Sequence, residues 1–409
     1  MSEICIIGLG YIGLPTALML AAHGKRVVGV DIDAELLSKL RAGELTFQED
    51  GLEELFHEAA AGGIRFEAAC QPAQMYVVAV PTPIDRQTKK IDATYVVTAV
   101  NTILSVCPSG AIIVIESTIS PGTVDKSIRP IIQQRGFIAN RDVHLVHAPE
   151  RIIPGNMLRE LRCNSRVIGS DTIEIGEIVR DTYASFCTGE IVLTDIKTAE
   201  MTKIVENTYR DVNIAFANEL AKICRQDDLD VYEIIRIANM HPRANILQPG
   251  PGVGGHCISV DPWFLVGDYP DLSHLIHEAR EINDSMPGFV LSRVHDIVIE
   301  HAIEDNVRVG FYGITYKENV DDTRESPTLQ LYELIRRHMG GGNVRFYDPL
   351  CKDGLLRGQL PCFDDFVDTC DLIVIMVGHD HIVKNMARLD GKLVLDTRNI
   401  CRLPGCYRL

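Results

Sequence analysis

The sequence lacks the features of a membrane protein or a secreted protein. It has no apolar run of about 18 residues, the length that a membrane-spanning helix needs, and no basic segment or cleavage site precedes its first apolar strand. It also has no C-x-x-C pair among its 12 cysteines, so neither a disulfide framework nor a structural metal site is expected. We therefore predict a cytoplasmic protein without a metal, whose cysteines are mostly buried small hydrophobic residues.

Positive charge is scarce as well. The formal net charge is −16, which argues against a nucleic-acid partner because phosphate backbones are bound by basic surfaces. A small anionic ligand is not excluded, since it responds to local groups more than to the total charge. The chain has 409 residues and is 46% hydrophobic, enough to bury the cores of two or three domains.

The first forty residues are typical of a strand, a glycine-rich turn, a helix and a second strand. Gly8, Gly10 and Gly13 form a G-x-G-x-x-G motif between the first strand and the helix, and Asp31 closes the second strand. Such glycines let the backbone approach a pyrophosphate at the helix N-terminus, and the acid accepts hydrogen bonds from the ribose hydroxyls. Because the Asp31 carboxylate repels a 2′-phosphate, the pattern predicts binding of NAD rather than NADP.

Three further strands of this region end in polar or turn residues. The strands are predicted at 75–81, 111–118 and 143–150, and their ends are Pro81-Thr82-Pro83, Glu116-Ser117-Thr118 and Pro149-Glu150. In an open parallel sheet, ligands bind beyond the carboxyl ends of the strands. Any one of these segments could be an ordinary turn, but three in succession are expected to line the nicotinamide side of a site.

From about Asp195 the pattern becomes helical. Residues 198–226 contain neither Gly nor Pro, which predicts a helix of roughly 40 Å. Lys203, Asn207 and Arg210 share one face of this helix, where they form either a solvated stripe or a surface for an anionic, hydroxyl-rich ligand. A long helix between two α/β regions also offers a dimerisation surface, and we expect a homodimer through these central helices.

Strands return after about residue 305, and their ends repeat the N-terminal order. They carry Gly313, then Asp348, then His379-Asp380, then Asp396-Thr397-Arg398, without a second G-x-G-x-x-G. This pattern predicts a second Rossmann-like unit that holds another phosphate-bearing ligand through the side chains of Tyr316, Lys317 and Arg324. The predicted fold is α/β, with two Rossmann-like doubly wound parallel sheets joined by a long helical central region. We place the domains at 1–195 (NAD binding), 196–300 (central, helical) and 301–409 (binding of a nucleotide substrate).

One cysteine lies in an unusual context. In the segment PGVGGHCISVDPWF, residues 251–264, Cys257 follows three glycines and precedes Asp261. Glycines remove steric cover and can direct backbone N–H groups at a sulfur or an oxyanion, whereas glycine-rich loops rarely build cores. We therefore interpret Cys257 as an accessible thiolate nucleophile and the other cysteines as structural.

NAD, an accessible thiol and a lysine together predict the oxidation of a primary alcohol in two hydride transfers. The first gives an aldehyde, to which Cys257 adds as a thiohemiacetal, and the second leaves a thioester that water hydrolyses to a carboxylate. Lys203 is expected to stabilise the alkoxide or to move the alcohol proton, and Asp261 to orient Lys203 or water. The group that deprotonates the hydrolytic water stays open among Lys203, Asp261 and Glu150.

These residues resemble the UDP-glucose/GDP-mannose dehydrogenase family over essentially the whole chain. The resemblance rests on the segments GLGYIGLP, PTP, EST, PE, TAEMTKIVENTYRDVNIAFANE, GGHCISVDP and YKENVDDTRESP. It implies a four-electron, NAD-dependent 6-dehydrogenase of a nucleotide sugar, with no nucleic-acid or membrane partner. The resemblance is greatest in residues 238–264, where it implies an N-acetylated UDP-sugar as substrate and a role in surface polysaccharide synthesis.

The resemblance also implies roles for individual residues. Cys257 becomes the nucleophile and Lys203 the proton donor and acceptor, with Asp261, Asn207 and Glu150 as further catalytic residues. The implied NAD contacts are Gly8, Gly10, Tyr11, Ile12, Gly13, Asp31, Thr82, Thr118 and Arg324. The implied substrate contacts are Arg151, Ile152, Lys203, Asn207, Arg210, His241, Arg243, Gly254, Tyr316, Lys317 and Arg398. Of these, His241 and Arg243 are expected to reach the site of the partner subunit.

Two rival interpretations stay open. The first is the same oxidation of the C2 epimer of the N-acetylated UDP-sugar. The two epimers differ at one stereocentre, and the spacing of residues in the sequence does not distinguish them. The second is an NAD-binding nucleotide-sugar epimerase, which uses the cofactor only transiently. An epimerase needs no thiol nucleophile and releases no NADH, so the replacement of Cys257 separates the two classes.

Overall fold

The computed structural model describes residues 3–47, 49–85, 88–153, 155–255, 257–303, 307–338 and 343–409. The chain divides into two compact units, Met1–Glu206 and Asn207–Leu409. Among the described residues, no helix is both long enough and apolar enough to cross a membrane.

An eight-stranded sheet forms the centre of the first unit, in the order β3-β2-β1-β4-β5-β6-β7-β8. Neighbouring strands are parallel except for β6 and β7, which are antiparallel. The strands are β1 (Glu3–Ile7), β2 (Arg26–Val30), β3 (Arg65–Glu67), β4 (Met75–Val78), β5 (Ala111–Ile115), β6 (Val143–His147), β7 (Arg166–Ser170) and β8 (Ile191–Thr194). Because the chain leaves β1 on one side for β2 and later returns to its other side as β4, a crevice opens at the carboxyl end of β1.

Helices cover both faces of this sheet. Alternate residues of a strand point to opposite faces, so Ile4 and Ile6 of β1 pack in one hydrophobic cluster and Cys5 packs in the other. Burial on both faces explains why the strands read as nearly continuous apolar runs rather than as alternating ones. The helices are α1 (Gly13–Ala22), α2 (Ala34–Arg41), α3 (Leu52–Ala61), α4 (Thr94–Leu104), a π-helix (Val124–Ile128), α5 (Arg129–Gln134), α6 (Met157–Cys163) and α7 (Ile173–Tyr183).

The long helix predicted from the absence of Gly and Pro is confirmed as α8, Ile196–Gln226. Its 31 residues continue across the boundary between the two compact units, so the chain passes from one unit to the other within a helix. At a rise of 1.5 Å per residue it is about 46 Å long.

The second unit has a five-stranded parallel sheet in the order β10-β9-β11-β12-β13. Its strands are β9 (Val309–Tyr312), β10 (Val344–Tyr347), β11 (Leu372–Ile375), β12 (Leu393–Asp396) and β13 (Tyr407–Arg408). The first four were predicted from the sequence, and β13, a two-residue edge strand, was not. The helices are α9 (Val231–Ala238), α10 (Asp261–Asp268), α11 (His274–Glu300), α12 (Pro327–His338), α13 (Phe363–Thr369), α14 (Asp380–Lys384) and a 3₁₀-helix (Met386–Leu389).

The two sheets begin in the same way, which confirms the predicted repeat of a Rossmann-like unit. Gly8 follows β1 with φ of +91°, and its N–H donates to the carbonyl oxygen of Val30 at 2.9 Å. Gly313 follows β9 with φ of +96°, and its N–H donates to the carbonyl oxygen of Tyr347 at 2.8 Å. Only glycine adopts this left-handed conformation without strain, so each sheet needs a glycine at the end of its first strand.

Candidate active site

The turn after β1 requires glycine for two different reasons. A Cβ on Gly8 would lie 2.6 Å from the carbonyl oxygen of Ala79, and a Cβ on Gly13 would lie 1.8 Å from the carbonyl oxygen of Gly8. A Cβ on Gly10, by contrast, would meet no atom within 4 Å. Gly8 and Gly13 therefore serve the fold, whereas Gly10 leaves open space in front of the N-terminus of α1. That space fits the pyrophosphate of a dinucleotide.

Asp31 ends β2 with its carboxylate turned back towards this turn. Its Oδ2 accepts the backbone N–H of Leu9 at 2.7 Å, and its Oδ1 accepts that of Asp33 at 3.0 Å. Each carboxylate oxygen can accept a second hydrogen bond, so two ribose hydroxyls can still be bound. Tyr11, which is 37% exposed, and the half-buried Ile12 border the same turn. The structure thus brings together the N-terminal residues that were expected to contact NAD.

Thr82 and Thr118 lie beyond the carboxyl ends of β4 and β5. Thr82 is buried and Thr118 is half-buried. Ser117 shares its hydroxyl proton between the carbonyl oxygens of Val78 at 3.2 Å and Val80 at 2.7 Å, and so ties the two strand ends together. Both threonines therefore lie at the edge of the sheet where ligands of open parallel sheets bind.

Two buried glutamates share one arginine at the ends of β5 and β6. Arg166, on β7, donates to Glu150, and its Nη1 lies 3.4 Å from Oε1 of Glu116. The hydroxyl of Tyr183 donates to the same Oε1 at 3.0 Å, and the guanidinium lies 4.4 Å from the centroid of the Tyr183 ring. Burial raises the pKa of Glu116 to about 7, although the charge of Arg166 lowers it.

Both oxygens of Glu150 have partners in this arrangement. Oε2 accepts from Arg166, and Oε1 accepts the backbone N–H of Arg151 at 2.7 Å. The guanidinium of Arg151 is itself bound to the carboxylate of Glu206 and to Ser165. Ile152 is buried at 8% exposure. A substrate that reached Arg151 would therefore compete with an existing ion pair.

Lys203 lies on α8 with 6% of its surface exposed. One turn earlier, the buried carboxylate of Glu200 accepts the N–H groups of Gly122 at 2.5 Å and Val124 at 3.0 Å. These two bonds attach α8 to the segment that runs from Thr118 into the π-helix. Within the first unit, the helix that carries Lys203 and the segment that carries Thr118 are therefore fixed to each other.

In the second unit, Asn207 and Asp261 form a buried pair. The Nδ2 of Asn207 donates to Oδ2 of Asp261 at 2.6 Å, and the two residues are 9% and 3% exposed. Arg210, one turn after Asn207 on α8, is exposed. His241 and Arg243, in the segment after α9, are exposed as well, with the N–H of Arg243 directed at Nδ1 of His241 at 3.3 Å.

Cys257 is exposed and lies just before α10. Its carbonyl oxygen accepts the N–H groups of Val260 at 3.1 Å and Asp261 at 2.8 Å, which form the turn that leads into the helix. The cysteine is therefore accessible and lies in the turn before the N-terminus of α10.

The glycines before Cys257 pack against the segment that follows β9. A Cβ on Gly254 would lie 2.7 Å from both Cβ of Tyr316 and the carbonyl oxygen of Glu325, and a Cβ on Gly255 would lie 2.8 Å from the Tyr316 ring. The N–H of Gly255 donates to the carbonyl oxygen of Arg324 at 2.9 Å. Glycine at these two positions thus allows two backbone segments to approach each other. This requirement for glycine could not be read from the sequence.

The charged residues of this segment lie near the cysteine loop. Arg324 pairs with Asp322 at 2.7 Å, and Lys317 is half-buried. Arg398, after β12, lies 3.8 Å from the carboxylate of Glu318, and its Nη1 is 2.9 Å from where a Cβ on Gly250 would be. The predicted substrate contacts Gly254, Tyr316, Lys317 and Arg398 are therefore brought together in the second unit, and Arg324, predicted as an NAD contact, lies among them.

Several polar residues of these sites were not found from the sequence. Arg166 is the first residue of β7 and precedes the apolar Val167 and Ile168, and that position of a charged residue was the available signal. Glu200 lies one turn before Lys203 on α8 and has no separate signal in the sequence. Asp211, Asn218, Arg280 and Asn283 form a buried network whose members are far apart in the sequence, so residue spacing gives no sign of it.

The comparison with protein families assigns three parts of the chain. Models of the UDP-glucose/GDP-mannose dehydrogenase family match residues 2–187 (NAD binding domain), 197–285 (central domain) and 310–403 (UDP binding domain). Among curated proteins, a UDP-N-acetyl-D-mannosamine dehydrogenase of Methanocaldococcus jannaschii is 43% identical over 97% of this chain and 92% of the relative. An NDP-N-acetyl-D-galactosaminuronic acid dehydrogenase of Ralstonia nicotianae is 38% identical over 97% of this chain and 96% of the relative. A solved structure titled as a UDP-D-ManNAc dehydrogenase of Pyrococcus horikoshii is 36% identical, with a TM-score of 0.92 over 99% of this chain and 98% of that one.

Proposed function

Because the chain belongs to the UDP-glucose/GDP-mannose dehydrogenase family and NAD is its cofactor, we propose that it oxidises UDP-N-acetyl-D-mannosamine at C6 to UDP-N-acetyl-D-mannosaminuronate. The reaction removes four electrons in two hydride transfers. The observation that carries the proposal is Cys257, an exposed thiol on a glycine-rich loop beside the buried pair Asn207–Asp261.

The chemistry balances with two cofactor molecules and one water. When bound, NAD supplies the hydride acceptor for each of the two oxidations. The C6 alcohol gives up a proton and a hydride to become an aldehyde, and the Cys257 thiolate adds to its carbon. Loss of the second hydride leaves a thioester, and water displaces the thiolate to give the carboxylate. The sum is one alcohol, two NAD⁺ and one water converted to one carboxylate, two NADH and three protons.

We propose the following roles for individual residues. Lys203 moves the alcohol proton and stabilises the oxyanion of the thiohemiacetal, since it is buried and cationic at one face of α8. The carboxylate of Asp261, held by Asn207, orients Lys203 or the hydrolytic water. Glu150 has both oxygens bound, by Arg166 and by the backbone of Arg151, which favours a positioning role over activation of water. Water activation then rests with Lys203 or Asp261.

The binding roles divide between the two units. Gly8, Gly10, Tyr11, Ile12, Gly13, Asp31, Thr82, Thr118 and Arg324 are proposed to contact NAD. The nucleotide sugar is proposed to contact Arg151, Ile152, Lys203, Asn207, Arg210, His241, Arg243, Gly254, Tyr316, Lys317 and Arg398. We keep the predicted division into 1–195, 196–300 and 301–409 as the functional one, along with the predicted cytoplasmic location and role in surface polysaccharide synthesis.

The choice of sugar rests on the relatives. Five proteins named UDP-N-acetyl-D-mannosamine dehydrogenase are 41–43% identical over 97% of the chain, and a sixth, of Escherichia coli, is 38% identical over 98%. Two proteins named NDP-N-acetyl-D-galactosaminuronic acid dehydrogenase are 38% identical over 97% of the chain. An N-acetylated sugar is common to both names. UDP-N-acetylmannosamine is the substrate we propose first. Within the same chemistry, UDP-N-acetylglucosamine and a galacto-configured UDP-sugar are the rival substrates, the former making the protein a UDP-N-acetylglucosamine 6-dehydrogenase.

The test counts NADH released per sugar consumed, with UDP-N-acetylmannosamine, UDP-N-acetylglucosamine, UDP-N-acetylgalactosamine and UDP-glucose. Two NADH from the first sugar and little from the others supports the whole proposal. Two NADH from another sugar retains the mechanism and replaces the substrate. Absence of NADH with every sugar contradicts the dehydrogenase and favours the epimerase.

The variant Cys257→Ser tests the covalent step, with Cys362→Ser as a matched control because Cys362 is also exposed. A serine hydroxyl is a far weaker nucleophile than a thiolate. Cys257→Ser should therefore stop steady turnover while a single turnover still yields NADH, and Cys362→Ser should behave as the unchanged protein. Steady turnover of Cys257→Ser at the original rate would exclude the thioester.

We also propose that two copies associate through α8. Val205, Tyr209, Phe216 and Ile223 are between 47% and 64% exposed. At 100° per residue they lie within about 40° of each other on the helix surface, which makes one apolar stripe along the helix. A stripe that points to solvent is what a symmetric partner helix covers. A second copy of this chain is therefore the proposed occupant, with His241 and Arg243 offered to its site.

The association is tested by sedimentation of the variant Tyr209→Glu/Phe216→Glu. The two glutamates introduced into the apolar stripe should convert the dimer of this protein to a monomer. If His241 and Arg243 of the second copy complete the substrate site, the kcat should fall as well. Tyr95→Glu, at an equally exposed tyrosine of α4, should remain dimeric. A monomeric unchanged protein, or a dimeric stripe variant, contradicts this assignment of the interface.

A further inference from the structure

A chain of buried hydrogen bonds leads from α11 through α8 to the backbone before Cys257. The Nη1 of Arg280 donates to Oδ1 of Asp211 at 2.5 Å, and the Nδ2 of Asn283 donates to the same oxygen at 2.8 Å. The Nδ2 of Asn218 donates to Oδ1 of Asn283 at 2.8 Å, and the N–H of Gly250 donates to Oδ1 of Asn218 at 2.9 Å. All four side chains are at most 1% exposed.

The direction of every bond in this chain is fixed by its two ends. Arginine can only donate and an ionised carboxylate can only accept, so Asn283 must turn its amide nitrogen to Asp211 and its oxygen to Asn218. Asn218 then has to donate to Asn283, which leaves its own oxygen for the N–H of Gly250. A backbone N–H can only donate, so the far end requires the same orientation. The hydrogen-bond series is therefore compatible with only one orientation of the side-chain amides of Asn218 and Asn283.

The backbone before Gly250 is held by similar contacts. Asn213 donates to the carbonyl oxygen of Asn245 at 2.8 Å and accepts the N–H of Leu247 at 3.0 Å. Asn239 accepts the N–H of Ile246 at 2.8 Å and donates to its carbonyl oxygen at 2.8 Å. Residues 245–250 have no regular secondary structure, and asparagine side chains supply the hydrogen bonds that a neighbouring strand would otherwise make.

We propose that Asn218 is a positioning residue that sets the place of the cysteine loop, residues 250–255 and Cys257, by holding the N–H of Gly250. The inference rests on the proposed function, in which Cys257 is the nucleophile. Glycine-rich backbone has the most conformations to lose on ordering, so this loop needs a fixed point at its start. Gly250 is that point, and the guanidinium of Arg398 lies against it.

The arrangement is not explained by stability alone. Replacement of a buried ion pair by apolar residues is often neutral or stabilising, so the pair Arg280–Asp211 is weak evidence for a stabilising role. What the connected hydrogen bonds from Oδ1 of Asp211 to the N–H of Gly250 add is a defined geometry. A catalytic thiol needs such geometry, because a displacement of about 1 Å between reacting atoms can cost about 100-fold in rate.

The test replaces Asn218 with Asp and, in a second variant, with Ala. Asn218→Asp keeps the size of the side chain and its hydrogen bond to Gly250. It turns an acceptor towards Oδ1 of Asn283, so the series of hydrogen bonds from Asp211 to Gly250 is interrupted. Asn218→Ala leaves the N–H of Gly250 without its partner. For both we expect the kcat to fall at least about 10-fold while the KM for NAD stays within about twofold, because the turn that binds NAD belongs to the other unit.

Lys222→Ala is the matched control. Lys222 joins the same two helices, since its Nζ donates to the hydroxyl of Ser285 at 2.6 Å, yet it makes no bond to the cysteine loop. Its loss should leave the kcat unchanged. The rate at which iodoacetamide alkylates Cys257, followed on its own peptide by mass spectrometry, should change in the Asn218 variants and not in Lys222→Ala. This readout needs no turnover, so it remains valid if the proposed function is wrong.

A double-mutant comparison separates positioning from loss of structure. In the Cys257→Ser background, the single-turnover yield of NADH should be insensitive to Asn218→Ala, because the side chain acts through the thiol. An equal loss in both backgrounds, or an Asn218 variant with unchanged kcat and unchanged Cys257 alkylation, overturns the proposal. Absence of NADH from the unchanged protein, with altered alkylation in the variants, would instead refute only the proposed function.

Discussion

Asp31 and Asp348 hold the same position in the two Rossmann-like units of this chain. Each closes the second strand of its sheet, and each accepts the N–H of the residue after the first glycine, Leu9 at 2.7 Å and Ile314 at 2.6 Å. Their surroundings differ. Asp348 also accepts from Thr315, His379, Leu350 and Cys351 and is 5% exposed, whereas Asp31 has one further backbone donor and is half-buried. The same carboxylate is thus open to a ribose in the first unit and fully used by the protein in the second.

This difference predicts opposite outcomes for two equivalent substitutions. Asp31→Asn should raise the KM for NAD about 10- to 100-fold, the effect of weakened hydrogen bonds to a charged group, and should lower the melting temperature less than Asp348→Asn, because one backbone donor instead of several loses its acceptor. Asp348→Asn should lower the melting temperature and leave the KM for NAD unchanged, because five donors lose a full negative charge. Steady-state kinetics and thermal melting of both variants check the pair. If both substitutions raised the KM for NAD by a similar factor, the assignment of NAD binding to Asp31 and of stability to Asp348 would be wrong.

The glycines of the first turn allow a second paired prediction. A Cβ on Gly10 meets no atom within 4 Å, so Gly10→Ala should melt like the unchanged protein and yet bind NAD more weakly, since the methyl group enters the space of the pyrophosphate. A Cβ on Gly13 would lie 1.8 Å from the carbonyl oxygen of Gly8, so Gly13→Ala should lower the melting temperature. Titration with NADH and thermal melting distinguish the two. Equal melting temperatures for the two variants would show that the turn is more adaptable than its geometry indicates.

Sequence patterns were sufficient for the fold because its signals are local. The G-x-G-x-x-G turn, the apolar strands and a run without Gly or Pro each report on residues adjacent in the chain, and they predicted β1, β2, β4, β5, β6 and α8, with the last three strands drawn three residues too long. Strands β3, β7, β8 and β13 were not predicted, and β13 carries no periodicity because it has only two residues.

The polar interior could not be predicted in the same way. Arg166, Glu116 and Glu150 are brought together by the pairing of strands that lie 16 to 50 residues apart in the sequence. The Arg280–Asp211 pair joins two helices across 69 residues. Spacing within one element says nothing about which elements pack together. The role of Gly254 and Gly255 likewise depends on Tyr316, which lies in a distant segment.

The pair Asn207–Asp261 predicts how charge and geometry contribute to turnover. Asp261→Asn keeps an oxygen that can accept from Nδ2 of Asn207, so the hydrogen bond at 2.6 Å can survive while the negative charge is lost. If the carboxylate orients Lys203 or water, this variant should lose about 100-fold in kcat at an unchanged melting temperature.

Asn207→Asp is the informative counterpart, because it places two carboxylates face to face in a buried position. It should lower both the kcat and the melting temperature at pH 7, and the melting temperature should recover at lower pH, where one of the carboxylates is protonated. Melting curves at pH 5 and pH 7 check this difference. A kcat of Asp261→Asn equal to that of the unchanged protein would remove Asp261 from the mechanism.

The buried carboxyl of Glu116 predicts a pH dependence of stability. Burial raises its pKa from 4.5 to about 7, so the folded state binds a proton that the unfolded state releases. The stability gained from this proton is fully present below pH 4.5 and is lost as the pH rises through 7. Above pH 7 the folded protein contains an ionised Glu116 beside Glu150, with Arg166 as their shared cation.

Glu116→Gln imitates the protonated acid, since an amide oxygen can accept from Tyr183 and Arg166 as Oε1 does. The variant should therefore match the unchanged protein near pH 4.5 and exceed its free energy of unfolding by about 1–3 kcal/mol at pH 8 to 9, which raises the melting temperature by a few degrees. Glu190→Gln, at an exposed glutamate before β8, is the control and should show no such difference. A Glu116→Gln protein that is less stable than the unchanged one at pH 8 would mean that Arg166 keeps Glu116 ionised, and the sign of the predicted pH dependence would then be reversed.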